Sequence, residues 1–197
     1  MTPIQREFNR LTVVYKKLGK DLNRQPAAME KAIESVAKVT GVKVASELQE
    51  LWRISNGSGR TMWFAAGEGE FTPYYFLSID EVLENWQLFA PYNAARYEEW
   101  HDDEEWGKRD PRIQRHYLRH KHWLSFAEFN GGSHSLLFDS DPTAKGRRGQ
   151  IINYIHDPDG VFWRSASFIK FFVTSNNTLE EWLKYPSELR EQLWLWD

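Results

Sequence analysis

Carboxylates and imidazoles gather in a few parts of the chain, and their spacing limits the chemistry open to them. Asp139, Asp141, His134, His156 and Asp157 form a set from which a hydrolase site at strand ends could be built, since paired acids and imidazoles pass protons or hold a metal. Their flanks argue for another use. Asp139-Ser140-Asp141-Pro142 and His156-Asp157-Pro158-Asp159-Gly160 are turn sequences, in which aspartate caps local amides and proline sets one dihedral angle. His116 and His120 are four residues apart, one helical turn, with His122 nearby. The glutamate that follows the first histidine in helical zinc hydrolases is missing, and arginine and lysine crowd the set, so no metal is expected. Gly57-x-Gly59 and Gly67-x-Gly69 lack the third glycine of a dinucleotide loop, and Ser133 lacks the glycine frame of a nucleophile elbow. No catalytic residue and no cofactor is assigned.

The most polarised stretch is Tyr97 to His122. Glu98, Glu99, Asp102, Asp103, Glu104 and Glu105 supply six carboxylates, interleaved with Trp100 and Trp106, before Lys108, Arg109, Arg112, Arg115, Arg119 and Lys121 reverse the sign. Two halves of opposite charge can neutralise each other across a hairpin. Alternatively, the acidic half, anchored by its two tryptophans, can imitate nucleic acid for a basic protein cleft. On a helix, Arg112, Arg115 and Arg119 would make a basic stripe, but it is short and the whole chain carries a net charge of −3, so direct nucleic-acid binding is not expected.

The elements that must position these residues follow from periodicity. Ile4, Phe8, Leu11, Tyr15, Leu18 and Leu22 recur at helical spacing after Thr2-Pro3, an N-cap and first-turn proline, with Gly19 placed to end the helix early; further helices are predicted from Pro26 to Val39, stopping at Gly41, from Ser46 to Ile54, and from Ser78, where Ser78 and Glu81 make a capping box. Strands are predicted at Met62 to Ala65, Tyr74 to Leu77, Trp123 to Phe126, Leu136 to Phe138 and Gln150 to Ile155, with Phe162-Trp163 as an edge strand. A short helix over Ser167 to Val173, a second capped by Thr178 and Glu181, and a last one from Ser187 complete the chain. Helices first, strands clustered and helices last indicate one α+β domain over 1–197: a central mixed or antiparallel sheet of about five to six strands, covered on one face, with flanking N- and C-terminal helices. Residues 1–41 supply the leading helices, and 92–120 form a charged insertion.

Composition excludes several classes. In 197 residues there are 12 Phe, 10 Trp and 8 Tyr, too much aromatic surface for a disordered chain, and some of it is expected on display for a partner. The absence of cysteine removes disulfides, thiolate metal sites and cysteine nucleophiles together. The start, Met1-Thr2-Pro3-Ile4-Gln5-Arg6, has no apolar export region, and the longest apolar run, Met62 to Ala66, is far shorter than a membrane span, so a cytoplasmic protein without membrane contact is expected.

Three pieces together resemble the SUKH superfamily. Leu48, Leu51, Trp52 and Ile54 lead into Ser55-Asn56-Gly57, similar to that family's early helix closing on an Asn-Gly cap; Phe76-Leu77-Ser78-Ile79-Asp80-Glu81 is similar to its strand-to-helix passage; and Trp123 to Tyr154 is similar to its three-stranded unit. The proline often found before the early helix is replaced here by Val44-Ala45-Ser46. The resemblance implies an α+β fold in which Asn56, Gly57, Asp139, Asp141, Pro142, Gly149 and Gln150 are structural. It also implies a non-enzymatic immunity protein that binds a cognate toxin, a nuclease being the leading guess, as a monomer or weak homodimer. The candidate docking residues are Glu98, Glu99, Trp100, Asp102, Asp103, Glu104, Glu105 and Trp106. A regulatory scaffold for signalling or envelope-assembly proteins and a metal-dependent hydrolase are the alternatives.

Overall fold

A computed structural model of the chain describes residues 1–66, 72–93, 109–115, 117–129, 131–156 and 159–185. Thr2 closes a capping box with Gln5, Pro3 occupies the first turn, and α1 (Pro3–Leu18) ends on Gly19, which takes the left-handed conformation at φ 66°. Helix α2 (Glu30–Thr40) ends in the same way on Gly41, and begins four residues after the predicted Pro26. Helix α3 (Ser46–Ile54) has the predicted bounds. Strands β1 (Met62–Ala66) and β2 (Thr72–Phe76) follow, then α4 (Ile79–Leu88), for which Ser78 and Glu81 supply the expected reciprocal cap, and the single turn α5 (Ala90–Asn93).

Strands β3 (Trp123–Phe129), β4 (His134–Asp139), β5 (Gln150–Ile155) and β6 (Gly160–Ser165) come next, then α6 (Phe168–Trp182). All six strands form one sheet in chain order, every neighbouring pair antiparallel. The fold is therefore α+β, and the sheet is wholly antiparallel. The charged stretch is inserted between adjacent strands, because β3 returns to pair with β2 at Tyr75–Glu128 and Phe76–Ala127.

Most of the core lies between one face of the sheet and the helices. Phe64 is at its centre, with ring centroids 5.4 to 6.2 Å from Phe76, Phe126, Phe168, Phe171 and Phe172. Four of these contacts are edge-to-face and the fifth is tilted, arrangements that pair a ring's positive edge with a negative face. Trp52 stacks on Phe76 and donates its indole N–H to the Leu77 carbonyl at 3.0 Å, so this large side chain is buried without an orphaned donor. Ser175 of α6 accepts the Ala65 amide at 2.9 Å, covering part of the exposed ladder of edge strand β1.

Three local readings give way to packing. The two helices predicted over Ser167 to Leu183 are one, because Phe168, Phe171, Phe172, Ser175, Asn176, Leu179 and Trp182 form a single buried stripe; Thr178, mid-helix, donates its hydroxyl to the Thr174 carbonyl instead of capping. Leu22 is buried but lies beyond α1. Cover is not confined to one face of the sheet. Trp123, Leu137, Ile152, Tyr154 and Val161 form a second cluster on the other face of the sheet and pack with Ile113 and Leu118 from the segment preceding β3. The helix predicted from Ser187 lies outside the described residues.

Phe64→Ala removes the ring on which five others converge, and is expected to lower unfolding free energy by about 3 to 5 kcal/mol in urea titration. A loss below about 1 kcal/mol would mean that this cluster does not close the core.

Candidate functional site

Two short side chains hold the corner where β4 meets β5. Asp139 closes an Asx turn by accepting the Asp141 amide at 2.9 Å, and its other carboxylate oxygen accepts from Gln150 Nε2 at 2.8 Å. The same Gln150 nitrogen donates to the Arg112 carbonyl at 3.0 Å, while Gln150 Oε1 accepts the Arg147 amide at 3.3 Å. Thr143 adds bonds from its amide to the Arg112 carbonyl and from its hydroxyl to the Pro111 carbonyl. The loop from Asp141 to Gly149 therefore clamps the chain at 110–114, the exit from the charged insertion. Gly149 sits at φ 85°. At Gly146 an added Cβ would come within 2.5 Å of the Arg112 carbonyl and 2.6 Å of Pro142 Cβ, so the loop and the clamped segment are in direct contact.

Asn56 and Gly57 make a second junction. They do not cap α3 as the resemblance implies, since Ser55 is its cap and is extended. Instead Asn56 Oδ1 accepts the Ile79 amide at 2.9 Å, one of the free donors at the start of α4. A Cβ on Gly57, at φ 93°, would stand 2.8 Å from the Ser78 nitrogen. The Asn-Gly pair thus joins the exit of α3 to the entry of α4.

The drawable hydrolase set is not assembled. His134 and Asp139 are the two ends of β4, about 16 Å apart at the usual rise per residue, too far to share a proton or a metal. His156 is beside the His134 end, and its ring pairs with Asp159 at 2.9 Å; Asp159 also accepts the Tyr154 hydroxyl at 2.5 Å. Asp157 and His116 lie outside the described residues. His120 is buried against Tyr117, His122 and Trp123, and burial, which disfavours the charged ring, lowers its pKa. Among the described residues no three histidine, aspartate or glutamate side chains are placed to hold a metal ion. Burial also pushes the Asp139 carboxyl up to about 6, against the lowering effect of its bonds from Gln150 and the Asp141 amide.

The basic stripe expected from Arg112, Arg115 and Arg119 does not form, because the segment before β3 is a succession of turns instead of a helix. Arg112 lies over the Trp163 ring, 3.6 Å from its centroid, and pairs with Asp110 at 2.5 Å. Arg119 is buried, packed on Phe89 and Tyr154 at 3.9 and 4.1 Å. It lines a groove between α4 and β3, opposite Asn85, Trp86 and Phe89 and beside His120 and Trp123. Local sequence carries no signal for this arrangement, since Phe89, Arg119 and Tyr154 come from three distant segments. The candidate docking residues Glu98, Glu99, Trp100, Asp102, Asp103, Glu104, Glu105 and Trp106 lie outside the described residues.

The SMI1 / KNR4 family (SUKH-1) matches residues 27–174, about three quarters of the chain. The chain belongs to this family. The SUKH-1 match takes in the whole six-stranded sheet and both junctions described above, and ends within α6. No curated protein matches the chain. Among the described residues no helix is long and apolar enough to cross a membrane.

Gln150→Ala removes the amide that bridges β4 to the clamped segment and leaves the Asp139 carboxylate and the Arg112 carbonyl short of donors. It is expected to cost about 1 to 3 kcal/mol in chemical denaturation; a neutral outcome would show that Thr143 holds the corner alone. The Asp139 carboxyl gives a pH signature of known sign. Its folded pKa of about 6 exceeds the usual 3.8, so the native state binds the extra proton between those values, and its contribution to stability is lost as pH rises through about 6. The stability of the unsubstituted protein relative to Asp139→Asn is therefore expected to rise as pH falls from about 6 to about 4, and a constant difference would contradict this.

Proposed function

We propose that the protein is an immunity protein, binding a cognate secreted toxin and neutralising it by covering the toxin's active site or substrate groove. Membership of SUKH-1 is the observation that carries this reading. Two features support it. The Asp139 carboxylate, part of the set most suggestive of chemistry, is taken up at a corner of the sheet by the Asp141 amide and the Gln150 side chain. The six carboxylates between Glu98 and Glu105, with Trp100 and Trp106, have the composition of a surface that meets a basic cleft: charge speeds encounter, and aromatic rings supply buried area. A nuclease, whose cleft is built for phosphates, is the toxin class that such a segment would complement.

The geometry also suits the segment to that role. One root is α4 with α5, seated on the Asn56-Gly57 junction; the other is the stretch clamped by Gln150 and Thr143. Anchored roots limit the ordering cost that a loop incurs on binding. The protein then acts in the cytoplasm of the toxin-producing cell and without catalysis of its own.

Affinity purification of the tagged protein from its native cell, at physiological salt, is expected to yield one dominant partner at fixed ratio, carrying a toxin-type terminal domain. Binding at nanomolar Kd or tighter, about 12 kcal/mol, is expected; inhibition only at micromolar concentration, or many weak partners, would favour a regulatory scaffold. Reversal of Glu98, Glu99, Asp102 and Asp103 to lysine is expected to slow association about tenfold or more and flatten its salt dependence. Unchanged rates would remove the acidic segment from the interface.

A further inference from the structure

His120 is 7% exposed, and three rings stand against it: Tyr117, His122 and Trp123, at centroid distances of 4.6, 5.4 and 5.6 Å. The elements packed about it present no titratable group, only Asn85, Trp86 and Phe89 from α4 and its cap, Ser125 from β3 and Leu137 from β4. The charged or titratable groups near it are Tyr117, Arg119, Lys121 and His122 of its own stretch and Asp141 of the loop after β4. Cations outnumber the single acid. The His120 Nδ1 is buried and makes no hydrogen bond among the described residues.

The backbone on each side of the ring is held in place. The His120 carbonyl accepts the Trp123 amide at 2.9 Å, the Lys121 carbonyl accepts Trp86 Nε1 at 3.4 Å, and the His122 carbonyl accepts both the amide and the hydroxyl of Ser140 at 3.0 Å. A neutral imidazole can leave Nδ1 as a bare acceptor, but in the imidazolium both nitrogens carry a proton, and Nδ1 becomes a buried donor with neither water nor a partner. Hydrating it requires the stretch before β3 to part from α4 and from the β4–β5 corner. That same stretch covers the second face of the sheet with Ile113 and Leu118, and its Arg112 carbonyl is bound by Thr143 and Gln150.

We propose that His120 is a proton-operated latch: charging its ring releases the stretch before β3 from the sheet, and with it the second face. The neutral ring keeps the stretch docked. Burial, and then the charge of His122 and Lys121, hold the docked ring below its ordinary 6.5, against the raising effect of Asp141, so the released form binds the proton more readily. The docked ring's contribution is therefore complete above 6.5 and is lost as pH falls below it. Asp139 has the opposite sign, since its carboxyl is raised to about 6 and acid favours the closed corner. The latch holds whatever partner the protein binds.

The test is amide exchange on the full chain, labelled with 15N and carrying Asp139→Asn to remove the opposing titration, at about pH 7.5 and about pH 5.5. Protection factors at Thr143 and Ser140, whose amides bond to Arg112 and His122, are expected to fall about fivefold or more in acid, while Ala65, bonded to Ser175, keeps its own. His120→Gln, neutral at both values, is expected to abolish the difference. Should that ring prove necessary for folding, the His120 Cε1 proton is followed instead: it is expected to titrate below 6.5, to move up in His122→Gln, and to track the loss at Thr143 and Ser140. Unchanged protection, an equal loss at Ala65, the same loss in His120→Gln, or a His120 titration at or above 6.5 would each overturn the proposal.

Discussion

Leu136, Leu137 and Phe138 are consecutive in β4 and all buried, so this strand must be covered on both faces. Side chains alternate across a strand, and Leu136 and Phe138 therefore face the helices while Leu137 faces the other way, with Ile151 and Ile152 repeating the pattern in β5. Much of the structure follows from this. Most of the helical layer serves one face. The other is served by the chain that returns from the charged insertion, and Ile113 and Leu118 are the residues it contributes.

That duty explains what happens to the arginines. A segment pressed on a sheet face cannot also offer a row of cations to solvent, so Arg112 and Arg119 lie on aromatic rings, where the quadrupole of each ring favours the charge. Gln150 and Thr143 hold the same segment by its backbone, satisfying carbonyls that a loop packed on a sheet would otherwise leave without donors. The polar residues at the β4–β5 corner are thus part of the same device that covers the sheet. Their carboxylate is buried because the corner is buried, and its raised pKa is a consequence of position.

Where the residues of one element decided its form, the sequence was readable. The Thr2 and Ser78 caps, the closing glycines Gly19 and Gly41, the bounds of α3 and the succession of strands from Trp123 to Tyr154 all depend on neighbours within a few residues. Readings failed where two signals competed. Thr178 with Glu181 has the form of a cap, but a buried stripe running from Phe168 to Trp182 outweighs a capping preference worth about 1 kcal/mol. Arg112, Arg115 and Arg119 have helical spacing, but the apolar residues among them answer to the sheet.

The class of fold, the order of its elements and the family were legible along the chain, because they rest on periodicity, caps and motif order. Packing between distant segments set the remainder: Asn56 reaches the start of α4 instead of closing α3, and Phe89, Arg119 and Tyr154 meet. Those outcomes depend on which strands pair and in what register. Pairing is settled by burial summed over the whole sheet, which no local window of residues contains.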